Sequence, residues 1–435
     1  LWDWKLLATI LAYQIFPSLY LSYRMYLVGN GIPGVNGLAI VSQWQFVQVL
    51  FEILQESLVL PIFYFVGSTL FSGNAMLTAR RAAATLRLMA LLVIPFALAI
   101  GLFADRFVEA IDTPVEILQE TIRYLRLRAL SLVGLALGLG AVIMLEALRA
   151  RGALLRVLVV RLIASVLLDS YLFGDFEFSL ALGSDGVALS SLLVETLAFS
   201  FALFELRRRL GADLFAGFLS PLRGDLAVFG RVGGWVAVDS AVRNVAYLAV
   251  VINLINAMGT GPIGGYYLCM FLFWTILLVP IKAIAETANV MFANHAAHPE
   301  RLPGILRYSL LLGGMVLLGW AAVAAFAGPI LRFFGNDPVS VSYATRCFYW
   351  LLGPYALLAL NTIADSLFLG LGRTKYLAFQ SLITNGTVYL IAYLLYWTGI
   401  WAPDLDSILL VFGLGIAVDS VLTAWYARRV LVRPD

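Results

Sequence analysis

The 435-residue chain is short of charge, cysteine and histidine. Only 13% of its residues are Asp, Glu, Lys or Arg, about half the share of a soluble globular chain. A water-soluble globular domain is excluded on that ground. Cys269 and Cys347 both fall in apolar segments and read as small buried hydrophobes, with no partner set for a disulfide framework or a metal. His295 and His298 are the only histidines, and no acidic or thiol cluster accompanies them, so no metal site is expected. There is no paired-aspartate diphosphate motif, nucleotide-binding loop or large soluble stretch. Those absences argue against a membrane enzyme and against a primary pump. The net charge of +3 is not gathered into a nucleic-acid surface, and no cofactor is implied. The first apolar run is long enough to span and is followed by more spans, which does not read as a cleavable signal peptide.

What the chain has instead is apolar length. Hydrophobic residues make up 62% of it and the mean hydropathy is +0.92. Continuous runs of about 20 residues mean membrane helices and not a barrel. Twelve spans are expected, at 6–28, 38–70, 85–104, 124–148, 155–174, 184–206, 226–257, 263–292, 305–331, 343–370, 376–399 and 406–429. Pro17, Pro61, Pro280 and Pro354 fall inside spans and are expected to bend them. Basic residues gather in alternate loops: Arg80, Arg81 and Arg87, then Arg149, Arg151 and Arg156, then Arg207, Arg208, Arg209 and Arg223. Acidic residues such as Asp105, Glu109, Asp175 and Asp404 fill the others. The alternation predicts both termini in the cytoplasm. Arg106, Arg123, Arg126, Arg128, Arg332 and Arg346 lie in or beside loops expected outside and go against the pattern.

The Arg-rich stretch 207–224 divides the spans into two sets of six. A 1–210 lobe, a cytoplasmic linker at 211–224 and a 225–435 lobe are expected. The halves share glycine-bounded ends to their first spans, Gly29-Asn30-Gly31 and Gly259-Thr260-Gly261, and a turn after their fourth, Arg151-Gly152 and Gly370-Leu371-Gly372. They also share carboxylates. Glu56 and Glu286 lie 230 residues apart in matching spans, and Glu52 and Lys282, one turn earlier, lie 230 apart too. A charge at the bilayer centre costs roughly 2.5–3.5 kcal/mol and marks a functional position. The repeat suggests a two-lobed transporter with polar groups along its path.

The span 2 residues Gln45, Gln48, Glu52, Gln55 and Glu56 share one helical face. That face either lines a cavity or binds neighbouring helices by hydrogen bonds. Asp239 with Arg243, and Lys282 with Glu286, are i,i+4 pairs. They are either self-neutralised or an exchangeable network. Asp169 follows Ser165 by one turn and can take a proton or help bind Na⁺. Arg24 and Arg161 either snorkel or meet an anionic substrate. Glu146, Glu195, Asp365 and Asp419 are further membrane carboxylates. Tyr13, Phe16, Trp44, Tyr64, Trp235, Tyr247, Trp274 and Tyr355 are interleaved with these charges as packing, interfacial anchors or a cavity wall.

Five short segments then carry a resemblance: Gly37-Leu38-Ala39, Glu146-Ala147-Leu148-Arg149-Ala150-Arg151-Gly152, Leu167-Leu168-Asp169, Gly186-Val187-Ala188-Leu189-Ser190-Ser191 and Gly370-Leu371-Gly372-Arg373-Thr374-Lys375. In their order and spacing the chain resembles the MATE (multidrug and toxic compound extrusion) family of the MOP exporter and flippase superfamily. The resemblance implies an all-α fold of two six-helix lobes in a V around a central cleft. It implies export of small organic solutes, driven by H⁺ or Na⁺ entry, by a monomer in the inner (plasma) membrane among its lipids. Cation coupling would fall to Glu56, Asp169, Ser165, Glu286 and Asp239. The cavity would be lined by Arg24, Gln48, Glu52, Arg243, Lys282, Trp44, Tyr64, Trp235, Tyr247 and Trp274. Where many members carry an aspartate near the end of span 1, this chain has Arg24, which would repel a cation. A cationic cavity for an anionic metabolite or lipid-linked headgroup is the alternative.

Overall fold

In the computed structural model the described residues are 2–32, 36–70, 75–148, 150–211, 214, 240–295, 298–371, 373 and 375–432, and all their regular structure is helical. The helices are α1 (Trp4–Gly31), α2 (Asn36–Ser42), α3 (Trp44–Leu70), α4 (Ala75–Leu102), α5 (Ala104–Ala110), α6 (Leu118–Ala129), α7 (Ser131–Ala147), α8 (Arg151–Phe173) and α9 (Gly183–Leu210). After the undescribed stretch come α10 (Ser240–Asn256), α11 (Thr260–Phe271), α12 (Leu278–Asn294), α13 (Leu302–Ala325), α14 (Ala327–Phe334), α15 (Pro338–Gly370), α16 (Lys375–Thr384), α17 (Leu390–Trp397) and α18 (Leu405–Val432). Among the described residues ten stretches are long and apolar enough to cross a membrane, and they coincide with ten of the twelve expected spans. The other two are α8, whose arginines dilute its apolar run, and α10, which is described over 17 residues only. Residues 226–239 of expected span 7, and most of the expected linker at 211–224, lie outside the described residues.

Two compact units emerge. One comprises 31–33 and 40–245, the other 1–30, 34–39 and 246–435. Helix α1 is thus grouped with the second half of the sequence, a partition the 1–210 lobe did not anticipate. The reason is a row of contacts along α1. Trp4 meets the Tyr308 ring edge-on at 6.3 Å, and Tyr26 packs on Phe333 at 5.0 Å. Gly29 approaches so closely that a Cβ there would lie 1.8 Å from the Phe334 carbonyl oxygen. The Asn336 N–H donates to the Gly29 carbonyl at 3.2 Å. Midway, the Ser18 hydroxyl donates to the Thr275 carbonyl. That carbonyl belongs to a wide π-turn, Leu272–Leu277, joining α11 to α12. Pro280 has no N–H for the carbonyls of Thr275 or Ile276, so an expected bend is here a widened turn. A serine from another helix supplies the donor.

Within each unit the fourth and sixth spans of that half run parallel. In the first, Arg123 bonds Asp185, 62 residues on, and Gly134 and Gly138 lie against Glu195 and Phe199. In the second, Arg346 bonds Asp406, 60 residues on. Gly413 lies against Pro354, and Asn361 and Asp365 meet Asp419 and Thr423, each 58 residues on. A separation that stays nearly constant along both helices means they run in the same direction. The repeated Arg–Asp pair also neutralises two of the arginines that broke the charge alternation, Arg123 and Arg346.

Candidate functional site

The second unit contains a polar cluster between α15, α16 and α18. The Asp365 carboxylate accepts from the Gln380 amide at 3.1 Å and the Thr423 hydroxyl at 3.0 Å. Asp419 accepts from the Asn361 amide at 2.7 Å and from Thr384 at 3.5 Å. The same Asn361 nitrogen lies 3.4 Å from Asp365, so one amide bridges both carboxylates. Thr423 also lies 2.9 Å from the Gln380 oxygen. Having one proton, it can serve only one of its two acceptors at a time. Asn361, Gln380, Thr384 and Thr423 are buried, and both aspartates are partly so. The partners named here are neutral. They lower the cost of a buried negative charge but do not cancel it. The Asn361 amide oxygen is buried and has no hydrogen-bond partner among the described residues. Within a turn of Asp365 and two turns beyond Asp419, Leu367, Phe368, Tyr426 and Ala427 enter an apolar core, which closes that end.

Aromatic side chains fill the same unit nearer the π-turns. The Tyr247 and Tyr266 hydroxyls lie 2.7 Å apart, and Trp274 donates to the Tyr355 hydroxyl at 2.9 Å. Phe412 touches both Tyr247 and Tyr355. Three π-turns, Leu248–Ile252, Leu272–Leu277 and Asn385–Tyr389, carry or adjoin these rings. Such turns break the regular ladder and recur at functional sites. The Lys282 ammonium lies 4.7 Å above the Trp274 ring, a cation–π contact. Glu286, one turn on, is exposed.

In the first unit Asp169 is fully buried and accepts from the Ser190 hydroxyl. The Ser165 hydroxyl one turn earlier is buried without a partner among the described residues. Helix α9 carries three acids at ten-residue intervals, each held by an arginine of another helix. Asp185 pairs with Arg123, Glu195 with Arg161 at 2.6 Å, and Glu205 with Arg156 at 2.7 Å. Arg156 engages Glu205 through two parallel bonds.

The expected site residues divide accordingly. Asp169 and Ser165 come together with Ser190, and Lys282 with Trp274. Gln48 donates weakly to Glu52 at 3.4 Å. Arg24 donates to the Tyr20 hydroxyl on its own helix. Trp44 is buried, with the Arg128 guanidinium 4.4 Å over its ring. Arg243 is exposed. Asp239 and Trp235, and the side chains of Tyr13, Glu56, Tyr64 and Glu146, lie outside the described residues. The cluster absent from the expected set is the one around Asp365 and Asp419. Its signal was present: Asn361, Asp365, Asp419 and Thr423 form i,i+4 polar pairs in two apolar spans, but only the parallel packing joins them.

The fold is that of the MATE transporters of the MOP superfamily. It is similar to an inward-facing multidrug resistance MATE family transporter, with a TM-score of 0.81 and 16% identity over 95% of this chain and 94% of that one. An outward-facing MATE family structure gives 0.71 and 17% identity over 98% and 96%. A MOP superfamily transporter from Pyrococcus furiosus Vc1, described as having a binding pocket of reverse polarity, gives 0.68 and 17% over 98% and 95%. The MatE family model matches residues 236–394, which include Asn361, Asp365, Gln380 and Thr384. The resemblance read from the sequence is thereby borne out in the fold. No curated protein matches the chain.

Proposed function

We propose that this chain is a secondary active exporter of organic solutes or drugs, working by alternating access and driven by H⁺ or Na⁺ entry. The observation that carries the reading is the bridged carboxylate pair Asp365–Asp419 inside a MATE fold. Two carboxylates sharing neutral donors inside an apolar span are costly when both are ionised. A proton on one of them, or a small cation between them, removes that cost. Hard cations take oxygen ligands, and the donor set offers two carboxylates, the Thr384 hydroxyl and, once its amide turns over, the Asn361 oxygen. Asp365, Asp419, Asn361 and Thr384 would hold the ion. Its arrival and departure would bias two arrangements of α15, α16 and α18. Asp169, Ser165 and Ser190 form a second candidate in the other unit, and Glu56, Glu286 and Asp239 remain proposed coupling groups. The proposed substrate contacts are Gln48 and Glu52 in one unit and Tyr247, Trp274 and Lys282 in the other. The proposed setting is the inner membrane, with cytoplasmic termini, a linker at 211–224 and a monomeric protein.

A second reading keeps the fold and takes an anionic solute, with candidate contacts Arg24 and Lys282 in one unit and Arg243 in the other. The exposed Arg243 guanidinium favours it. Proteoliposomes with imposed pH or Na⁺ gradients and a panel of cationic and anionic compounds separate the two. Asp365→Asn and Asp419→Asn should each abolish gradient-driven export while leaving a folded protein. Unchanged export in both would overturn the coupling assignment. Transport of anions alone, lost in Arg243→Ala, would establish the second reading.

A further inference from the structure

At the far end of α15 from the carboxylate cluster lies an open groove of about 720 Å³, lined by residues of α14, α15 and the turn joining them. Arg346 in this groove precedes Asp365 by nineteen residues, roughly 28 Å along a helix, so the groove is separate from the proposed coupling site. Its polar lining is Arg332, Asn336, Ser342, Thr345, Arg346 and Tyr349. Two of those hydroxyls are already committed, since Thr345 donates to the Val341 carbonyl and Tyr349 to the Ala324 carbonyl. The donors left for a ligand are the two guanidinium groups, the Asn336 amide and the Ser342 hydroxyl. Arg346 is held by Asp406, with Asp404 also acting on it. The buried Asp337 carboxylate caps α15 by accepting from the Ser340 N–H. Arg332 has no carboxylate within ion-pair distance among the described residues, and it is exposed.

The other half of the chain shows which arginine is special. Arg123–Asp185 repeats Arg346–Asp406, so that pair is part of the duplicated framework. Arg106-Phe107 in α5 likewise repeats Arg332-Phe333 in α14. Around Arg106, however, stand Asp105 beside it and Glu109 at i+3, one turn away on the same side of the helix. The corresponding neighbours of Arg332 are Leu331 and Gly335. Both halves carry the cation, and only one carries the neighbouring carboxylates. The groove also lies between the end of one apolar span and the start of the next. Tyr349 of the lining is exposed, and so are Phe326, Phe333 and Trp350, which neighbour lining residues in sequence; Trp and Tyr are enriched at membrane–water interfaces.

We propose that this groove binds a phosphate-ester anion, the headgroup of an anionic lipid in the leaflet predicted to face outward, with Arg332 as its principal contact. A guanidinium engages phosphate in a bidentate way, and the exposed aromatic rim suits the adjoining acyl region. The test is native mass spectrometry of the full chain released from nanodiscs of phosphatidylglycerol or phosphatidylcholine. Retention of phosphatidylglycerol should exceed that of phosphatidylcholine, and Arg332→Gln should lower it about fivefold. Arg106→Gln, the matched position, should leave it unchanged. Inorganic phosphate added in detergent gives the second arm. Thermal stabilisation by phosphate that Arg332→Gln removes, with lipid retention unaltered, would keep the site and assign it to a soluble anion. If Arg332→Gln changes neither readout, or if Arg106→Gln lowers lipid retention equally, the proposal fails.

Discussion

Gly29→Ala is the sharpest perturbation the packing of this protein offers. A Cβ at that position would stand 1.8 Å from the Phe334 carbonyl oxygen, 2.8 Å from its carbonyl carbon and 2.9 Å from the Gly335 Cα. All three are main-chain atoms, so no side-chain rotation relieves them. Bringing the closest contact out to 3.0 Å means withdrawing the end of α1 by about 1.2 Å. Such overpacking costs about 1–3 kcal/mol. The withdrawal also stretches the 3.2 Å bond from the Asn336 N–H to the Gly29 carbonyl, which contributes about 0.5–1.5 kcal/mol. Alanine returns about 0.5–1 kcal/mol through its better helix propensity. The net expectation is a loss of roughly 0.5–4 kcal/mol. Gly319→Ala in α13 is the control, because nothing lies within 4 Å of a Cβ there and only the helix-propensity gain remains. Chemical unfolding of both variants in mixed detergent micelles, followed by tryptophan fluorescence, gives the difference. If Gly29→Ala is as stable as Gly319→Ala, the close docking of α1 on the α14–α15 corner is wrong.

Two further outcomes follow from the same packing. Glu195→Leu strips the counter-charge from Arg161 near the middle of α8 and should destabilise the protein by about 2–3 kcal/mol. Arg161→Leu added to it should recover most of that loss in the same unfolding assay, whereas a double variant weaker than the single one would remove the pair from the stabilising set. Gly415→Ala places a Cβ 2.6 Å from the Tyr389 hydroxyl, one turn before Asp419, and should cost about 1–2 kcal/mol. Because that contact is the tip of a side chain, Tyr389→Phe should restore part of the stability, and a Gly415→Ala protein as stable as wild type would refute the tight seat.

Much of the fold was legible along the chain because membrane helices announce themselves by apolar length. Ten expected spans coincide with ten long apolar helices, and the five short segments led to the right fold family. The site was less legible. Asp169 and Ser165 could be paired from one-turn spacing, and Ser190 stood in a segment already singled out. Asp365 and Asp419 could be listed as membrane carboxylates but not joined, since 54 residues and two turns of chain separate them. The arginines that contradicted the charge alternation were equally opaque. A charge count cannot see that Arg123 and Arg346 are each held by an aspartate from a span two helices later.

The sequence by itself determined that this protein is helical, with apolar helices long enough to cross a membrane. Those properties are sums over residues or local periodicities, and they survive without knowing which helix touches which. Only the tertiary structure decided which buried charges share a site. That depends on helices packed side by side at a fixed stagger, as in the α15–α18 pairing that brings Asn361 to Asp419 and Asp365 to Thr423. It also decided that α1 packs with the second half, because a glycine without a Cβ lets one backbone lie directly on another.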